Sequence, residues 1–439
     1  MSRPLPDAPS LEQLKKQAKD LLKAHRAADA AACCGVLRNL GRFDKYSDAQ
    51  IVAAAVSLTD AQHAIAKEYG YESWSALKHA VETPTDAAVR GKVQREDGRT
   101  WVCDVPPLRW GQSGECTFAG AMAAALKVTK RPVPYSDLMG YSGLAFRVRW
   151  FRRYDEPGWC PSSSVGEFSE EIMQLAQMIG WRVHQESRMD QTDQDMSGCT
   201  DLLRESIDAG RPVVGYPDTD LNVGVCYGYE EQDGDLTGFL WNRYGKDAVQ
   251  IPPDKLGPWQ LILQHATPPQ EAALSLHRAL TTSNWRRAHL PFQRLKPQVD
   301  AVYHYGARAL KQWREDLDLV DQLTDEQREQ LFFVSWWCFD CLVDARHAAA
   351  KFLNDRAQEC VGDLRATLAQ AAEIHGQTAR KAGDLSFGKH QAFLGPWTGK
   401  TTDDWTPEVR EHEQALLAEV EDSDRRAISA LDQAVALLR

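Results

Sequence analysis

The chain has no uninterrupted apolar run long enough to cross a bilayer, and its opening Met-Ser-Arg-Pro-Leu-Pro-Asp contains no apolar signal region. A soluble, cytoplasmic protein with no membrane partner is the expectation. An excess of positive charge is also missing: 51 Lys and Arg face 62 Asp and Glu, for a net charge of −11. Taken as a whole such a chain repels polyanions, so nucleic acid is not an expected partner either. No 33-residue period is present, which excludes an ankyrin array. The ten cysteines are unevenly spaced and accompany no export signal, so they read as thiols and not as a disulfide framework. Neither Cys33-Cys34 nor Cys338-Phe-Asp-Cys341 has a second, suitably spaced ligand cluster; core packing is expected for both, with no metal and no cofactor. Histidine is scarce where chemistry would need it. Between residues 101 and 268 only His184 and His265 occur.

What is present, in 439 residues, is enough chain for two to four domains and 14 tryptophans to pack them or to wall a ligand pocket. Residues 1–83 read as a small all-helical domain. Ser10-Leu-Glu-Gln13, Ser47-Asp-Ala-Gln50 and Thr59-Asp-Ala-Gln62 each have the form in which a hydroxyl and a glutamine satisfy helix-end donors reciprocally. Leu11, Leu14, Ala18, Leu21 and Leu22 repeat at the helical period and define one buried stripe. Residues 84–100 are polar and read as a linker. From 101 to 268 helical segments give way to alternating strands, at Trp181–His184, Pro212–Tyr216, Asn222–Tyr229, Thr237–Asn242 and Leu261–Leu263, an α+β layout. From 269 to 439 the period is again helical, which predicts a bundle.

Chemistry concentrates at Trp110-Gly-Gln-Ser-Gly-Glu-Cys116-Thr-Phe-Ala-Gly. Small turn-forming residues run into an Ala-rich helix, so Cys116 is expected in its first turn. Unpaired N–H groups and the positive end of the helix dipole favour a thiolate there. A small buried hydrophobe opening a core helix is the plainer alternative. Phe146-Arg-Val-Arg-Trp-Phe-Arg-Arg-Tyr154 is the one basic and aromatic run, either a patch for phosphates, CoA or a carrier protein or a strand edge with solvated arginines. Trp159 and Ser162 to Ser164 could form a pocket lip, and Trp336, Trp337 and Arg346 could close that pocket from the bundle.

Two resemblances attach to these residues. Ser-Leu-Glu-Gln-Leu-Lys-Lys-Gln-Ala-Lys-Asp-Leu-Leu and Tyr-Gly-Tyr-Glu-Ser-Trp are similar to the helical extension in front of some bacterial ankyrin-repeat proteins, which implies an accessory or interaction role. Gly114-Glu-Cys-Thr-Phe-Ala-Gly-Ala-Met, Tyr135-Ser-Asp-Leu-Met-Gly-Tyr-Ser-Gly-Leu-Ala-Phe, and Gly210-Arg-Pro-Val-Val with Asn222-Val-Gly-Val-Cys-Tyr-Gly-Tyr resemble the papain-like superfamily, nearest to the N-terminal domain of the butirosin-biosynthesis acyltransferase and the C39-type cysteine peptidases. The resemblance implies a papain-like cysteine helix plus antiparallel sheet, flanked here by the two helical segments. It also implies Cys116 as nucleophile, Gln112 near the oxyanion and Asn242 as the orienting residue. At the position of the family histidine stands Asn222.

That departure carries chemical weight. A carboxamide cannot take a proton from a thiol near neutral pH, so peptide cleavage is disfavoured. Acyl transfer from a thioester asks less, because its thiolate leaving group needs little protonation. Asp220, two residues before Asn222 and on the same strand face, is a possible substitute, as are His184 and His265. Glu115 adjoins the cysteine and would oppose its ionisation. Trp110, Glu115, Tyr141, Asp220 and Trp159 are the expected substrate-binding residues. Two functions follow: a Cys116-dependent acyl-transfer or amide-forming enzyme acting on a small-molecule, acyl-thioester or carrier-protein substrate, or a catalytically degenerate binding or sensing module that recruits a protein partner through its helical segments.

Overall fold

In the computed structural model the chain forms two compact units, Met1–Ala88 and Val89–Arg439. The structure describes residues 11–82, 91–152, 175–187, 197–217, 222–266, 276–280, 294–296, 301–382 and 392–438, apart from single positions 177, 246, 258 and 278.

Among its described residues the first unit holds five α-helices: α1 (Leu11–Arg26), α2 (Ala30–Leu37), α3 (Asp48–Ala53), α4 (Leu58–Glu68) and α5 (Trp74–Glu82). Of the expected stripe, Leu14, Ala18, Leu21 and Leu22 are buried together with Cys33, Cys34, Phe43 and Ile51. The adjacent thiols therefore pack as core, and burial pushes the Cys33 thiol up to about 11. At α3 the Ser47 and Gln50 pair forms as the pattern predicts, with Gln50 N–H donating to Ser47 Oγ and Ser47 N–H to Gln50 Oε1. At α4 the expected Thr59–Gln62 box is not the cap. The helix starts one residue before Thr59, and Ser57 with Asp60 makes the reciprocal pair at 3.1 and 2.8 Å. A carboxylate in the first turn adds a favourable interaction with the helix dipole that a carboxamide lacks.

The second unit begins where a linker was expected. β1 (Val93–Glu96) and β2 (Arg99–Val102) pair through the two-residue turn Asp97-Gly98, both at positive φ, the geometry that matches the twist of a tight hairpin. Residues 93–100 thus belong to the sheet. After them come α6 (Thr117–Lys127), α7 (Tyr135–Ser142), β3 (Arg149–Trp150), β4 (Trp181–Ser187), α8 (Ser197–Asp208), β5 (Val213–Gly215), β6 (Gly224–Gln232), β7 (Asp235–Asn242), β8 (Val249–Ile251) and β9 (Trp259–Ala266). Every pairing is antiparallel, and β6 is the hub. One of its edges is shared end to end by β5 and β2, while the other carries β7 and then β8; β9 and β4 extend the sheet beyond β5. Val102, Val213, Cys226, Phe239, Trp241 and Ile262 pack against Leu203 and Ile207 of α8 as the core of this sheet. The α+β expectation holds at this level.

β10 (Arg294–Lys296), β11 (Ala301–Tyr305), α9 (Ala307–Leu317), α10 (Asp325–Gln358), α11 (Gly362–Ala382) and α12 (Pro407–Leu437) complete the unit. The sheet keeps its own core within residues 102–262, while Val148, Trp150 and Phe151 from before the expected boundary at 268/269 pack into the core of the C-terminal helices. β11 pairs with β3, and Trp150 stacks on Trp313 at 4.5 Å while its indole N–H donates to the fully buried Asp316. Arg346, also fully buried, donates to the Ala145 carbonyl and grips Asp424 through two nitrogens. Asp316 and Arg346 each sit in a site of low dielectric, where a charge persists only if paired. Arg147 and Arg149 of the basic run are buried, and Arg152 donates to Asp316 at 2.7 Å. The described part of that run therefore belongs to this joint. Arg147 and Arg149 are withdrawn from solvent there, whereas the Arg152 side chain remains 46% exposed.

Candidate functional site

Cys116 is the N-cap of α6, one position before the first turn in which the sequence pattern places it. Its backbone N–H donates to the Tyr135 hydroxyl at 3.0 Å, and that hydroxyl donates in turn to Asp344 Oδ2 at 2.5 Å. The Glu115 N–H also donates to Asp344. The start of the cysteine helix is thus fastened by two consecutive N–H groups, through Tyr135 and directly, to a carboxylate on α10. Such orphan donors at a helix start need acceptors, and a buried carboxylate is a strong one.

Two glycines make the approach possible. Gly114, at φ +85°, has no Cβ to collide with the Tyr135 ring, whose nearest atom would lie 2.2 Å away. Gly120, one turn into α6, leaves room for the Tyr244 hydroxyl, which donates to the Ser113 carbonyl at 3.1 Å.

Three carboxyl groups gather behind Cys116. Glu115 is only 3% exposed; its Oε1 accepts from Gly111 N–H at 2.9 Å, whereas its buried Oε2 meets no hydrogen-bond donor. Burial, with repulsion from Asp340 and Asp344, pushes Glu115 up to about 8, so it is protonated at neutral pH. Asp344 is pushed up to about 6 by burial and held from rising further by the Tyr135 and Glu115 hydrogen bonds. Tyr135 and Tyr244 are raised well above the ordinary phenol value by burial and by the neighbouring acids and thiol, so both remain neutral donors. Among the described residues, no group of His, Cys, Asp or Glu has the arrangement to hold a metal ion.

The remaining expected site residues are placed as follows. Gln112 is exposed in the turn before the helix. Asn222 is half-buried just ahead of β6, and its neighbour Val223 donates its N–H to Thr117 Oγ1 at 3.2 Å, which brings this backbone to the first turn of α6. Asn242 is buried and spends its amide on the carbonyls of Val105 and Pro106, at 3.3 and 2.9 Å, pinning the segment that leads to Trp110. Tyr141 packs against Phe352, and its hydroxyl accepts from Arg356 at 2.7 Å. His184 lies on β4, an edge strand separated from β6 by β9 and β5, and His265 pairs with Arg182 on that same margin. Asp220, Trp159 and Ser162 to Ser164 lie outside the described residues. Trp337 meets Trp110 at 5.2 Å, whereas Trp336 is fully buried within the bundle.

Sequence reasoning passed over Tyr135, Tyr244, Asp340 and Asp344. One signal was available: Phe333, Trp337, Asp340 and Asp344 recur at steps of four, three and four, which places two rings and two acids on a single face of α10. The partner of that face lies more than 200 residues earlier and has no local signature.

No helix among the described residues is long and apolar enough to cross a membrane. Compared with known proteins, the chain matches no family model and no curated sequence.

Proposed function

We propose that this is a papain-like protein that has lost the family's proton-transfer machinery and serves as a ligand-binding or sensing module. The observation that carries the reading is the Cys116–Tyr135–Asp344 chain. The N–H of the nucleophile position, which an acyl-transfer enzyme would aim at a developing oxyanion, is already spent on Tyr135. Ionising any of the acids behind Cys116 opposes formation of a thiolate. Asn222 offers no base, and Asn242 is committed to backbone carbonyls.

The test is incubation of the full chain with acetyl and longer-chain acyl thioesters, followed by intact mass. No Cys116-dependent adduct is expected, while a maleimide labels the accessible thiols. An adduct that Cys116→Ala abolishes would overturn the binding reading.

The second reading, acyl transfer, is favoured by one feature: Asp344, at about 6, is an acceptor suited to neutral pH. In that mechanism the Cys116 proton passes to the Tyr135 oxygen as the Tyr135 proton passes to Asp344. The sulfur forms the new S–C bond, and the departing thiolate takes a proton from solvent. An adduct whose rate collapses in Asp344→Asn, with a pH profile rising through about 6, is the result this mechanism requires.

A further inference from the structure

One face of α1 is strongly basic. Lys16, Lys19, Lys23 and Arg26 follow one another at steps of three, four and three, which sets them on a single side of the helix with Lys15 at its margin. These four are exposed, whereas Leu14, Ala18, Leu21, Leu22 and His25 are buried on the opposite side. Residues 1–88 hold eleven Lys and Arg and eleven Asp and Glu, so the face is a segregation of charge and not an excess of it. On α10 and α12 surface cations are met by acids one turn away, as Lys351 is by Asp355 at 2.6 Å and Arg425 by Asp422 at 2.8 Å. On α1 the one such pair among the described residues is Lys15 with Glu12, at 2.7 Å. Among those residues Lys16, Lys19, Lys23 and Arg26 have no acid within ion-pair distance, Asp20 included. Lys23 and Arg26 lie in the last turn, where the negative end of the helix dipole favours them, but Lys16 and Lys19 are beyond its reach.

We infer that this face docks a short acidic segment of a partner protein, whose carboxylates align with Lys16, Lys19, Lys23 and Arg26. From Lys16 to Arg26 the face is about 15 Å long, enough for about five residues of extended chain or about three turns of a facing helix. Lys19 stands one turn from both Lys15 and Lys23, a spacing at which like charges repel, and carboxylates relieve that repulsion on binding. A nucleic acid fits the face less well. α1 has no Phe, Tyr or Trp on which bases could stack, and the chain's net charge of −11 opposes a polyanion long enough to extend past the helix. The inference concerns the first unit and does not rest on the reading of the Cys116 site.

Fluorescence anisotropy of the full chain at neutral pH tests it with three labelled probes: hexaglutamate, hexaglutamine and an oligothymidylate of the same length. Hexaglutamate is expected to bind saturably, more tightly than either of the others, and several-fold more weakly at about 200 mM salt than at about 50 mM. Replacing Lys16→Gln, Lys19→Gln and Lys23→Gln together, all at exposed positions, should weaken it at least about tenfold. The control Lys45→Gln, Lys67→Gln and Lys92→Gln removes the same charge from other exposed positions and should change the affinity by less than about twofold. Circular dichroism verifies that both variants fold. No saturable binding of hexaglutamate, equal binding of hexaglutamine, or equal losses in the two variants would each overturn the inference. Tighter binding of the oligothymidylate would assign the face to nucleic acid instead. A dimer of the parent in sedimentation velocity that the α1 variant dissolves would assign it to a second copy of the chain, and that too would overturn the inference.

Discussion

Glu115 is the residue on which the electrostatics of the site turn. A carboxyl group whose value rises from 4.5 to about 8 on folding holds a proton in the native state that it releases when unfolded. Stability from this group is greatest at and below pH 4.5 and declines as pH climbs toward 8, at up to about 1.4 kcal/mol per pH unit. Asp344, at about 6, and Glu413, pushed up to about 7 by burial, act in the same direction over narrower windows. Glu115→Gln, which keeps the acceptor for Gly111 N–H and never ionises, is expected to melt with a visibly shallower pH dependence between pH 5 and 8 than the parent. Thermal scans at half-unit steps measure this; a slope unchanged from wild type would remove Glu115 from the account. Tyr135 shows the complementary point. Its place opposite Cys116 follows from Gly114, a glycine that reads in sequence as mere turn material, because the steric allowance it creates is only visible once α7 is packed.

Among the elements, local rules account for ends and hairpins, and packing decides which of several adequate local signals is used. At α4 two hydroxyl-containing patterns compete within three residues, and the one with an acid in the first turn wins. Ser57→Ala is accordingly expected to cost about 1 kcal/mol of stability, and Thr59→Ala close to nothing. Chemical denaturation of the two variants decides the matter, and a larger loss from Thr59→Ala would restore the original pattern. α10 is the opposite case. Its 34 residues are buried on most sides, so hydrophobic periodicity gives its length but cannot say which face meets which neighbour. Asp340 and Asp344, two acids in such a helix, were the visible irregularity.

For the whole second unit, the sheet and the C-terminal helices act as one body. Trp150 and Arg152 depend on Asp316, Ala145 on Arg346, and Cys116 on Asp344 through Tyr135. A fragment of residues 89–268 would leave the Trp150, Arg152 and Tyr135 donors, the Ala145 carbonyl and the ring face of Trp150 without these partners. It is expected to show no cooperative unfolding transition by itself and to regain one when co-expressed with residues 269–439. A sharp transition for the isolated fragment would show that the sheet carries its own stability.

The sequence by itself determined the helices of the first unit, the alternation that becomes β4 to β7 and β9, the thiol character of the packed cysteines and the position of Cys116 at a helix start. Each of these is written in neighbouring residues, through spacing, capping chemistry or turn-forming pairs. Only the tertiary structure decided that residues 93–100 are sheet, that Val148, Trp150 and Phe151 of the middle segment pack into the core of the C-terminal helices, and that Cys116 is backed by Tyr135, Asp344 and a protonated Glu115 where a base was sought. Those outcomes depend on contacts between residues up to about 230 positions apart, such as Glu115 and Asp344, and on burial, which pushes the Glu115 carboxyl up to about 8 without changing a letter of the sequence.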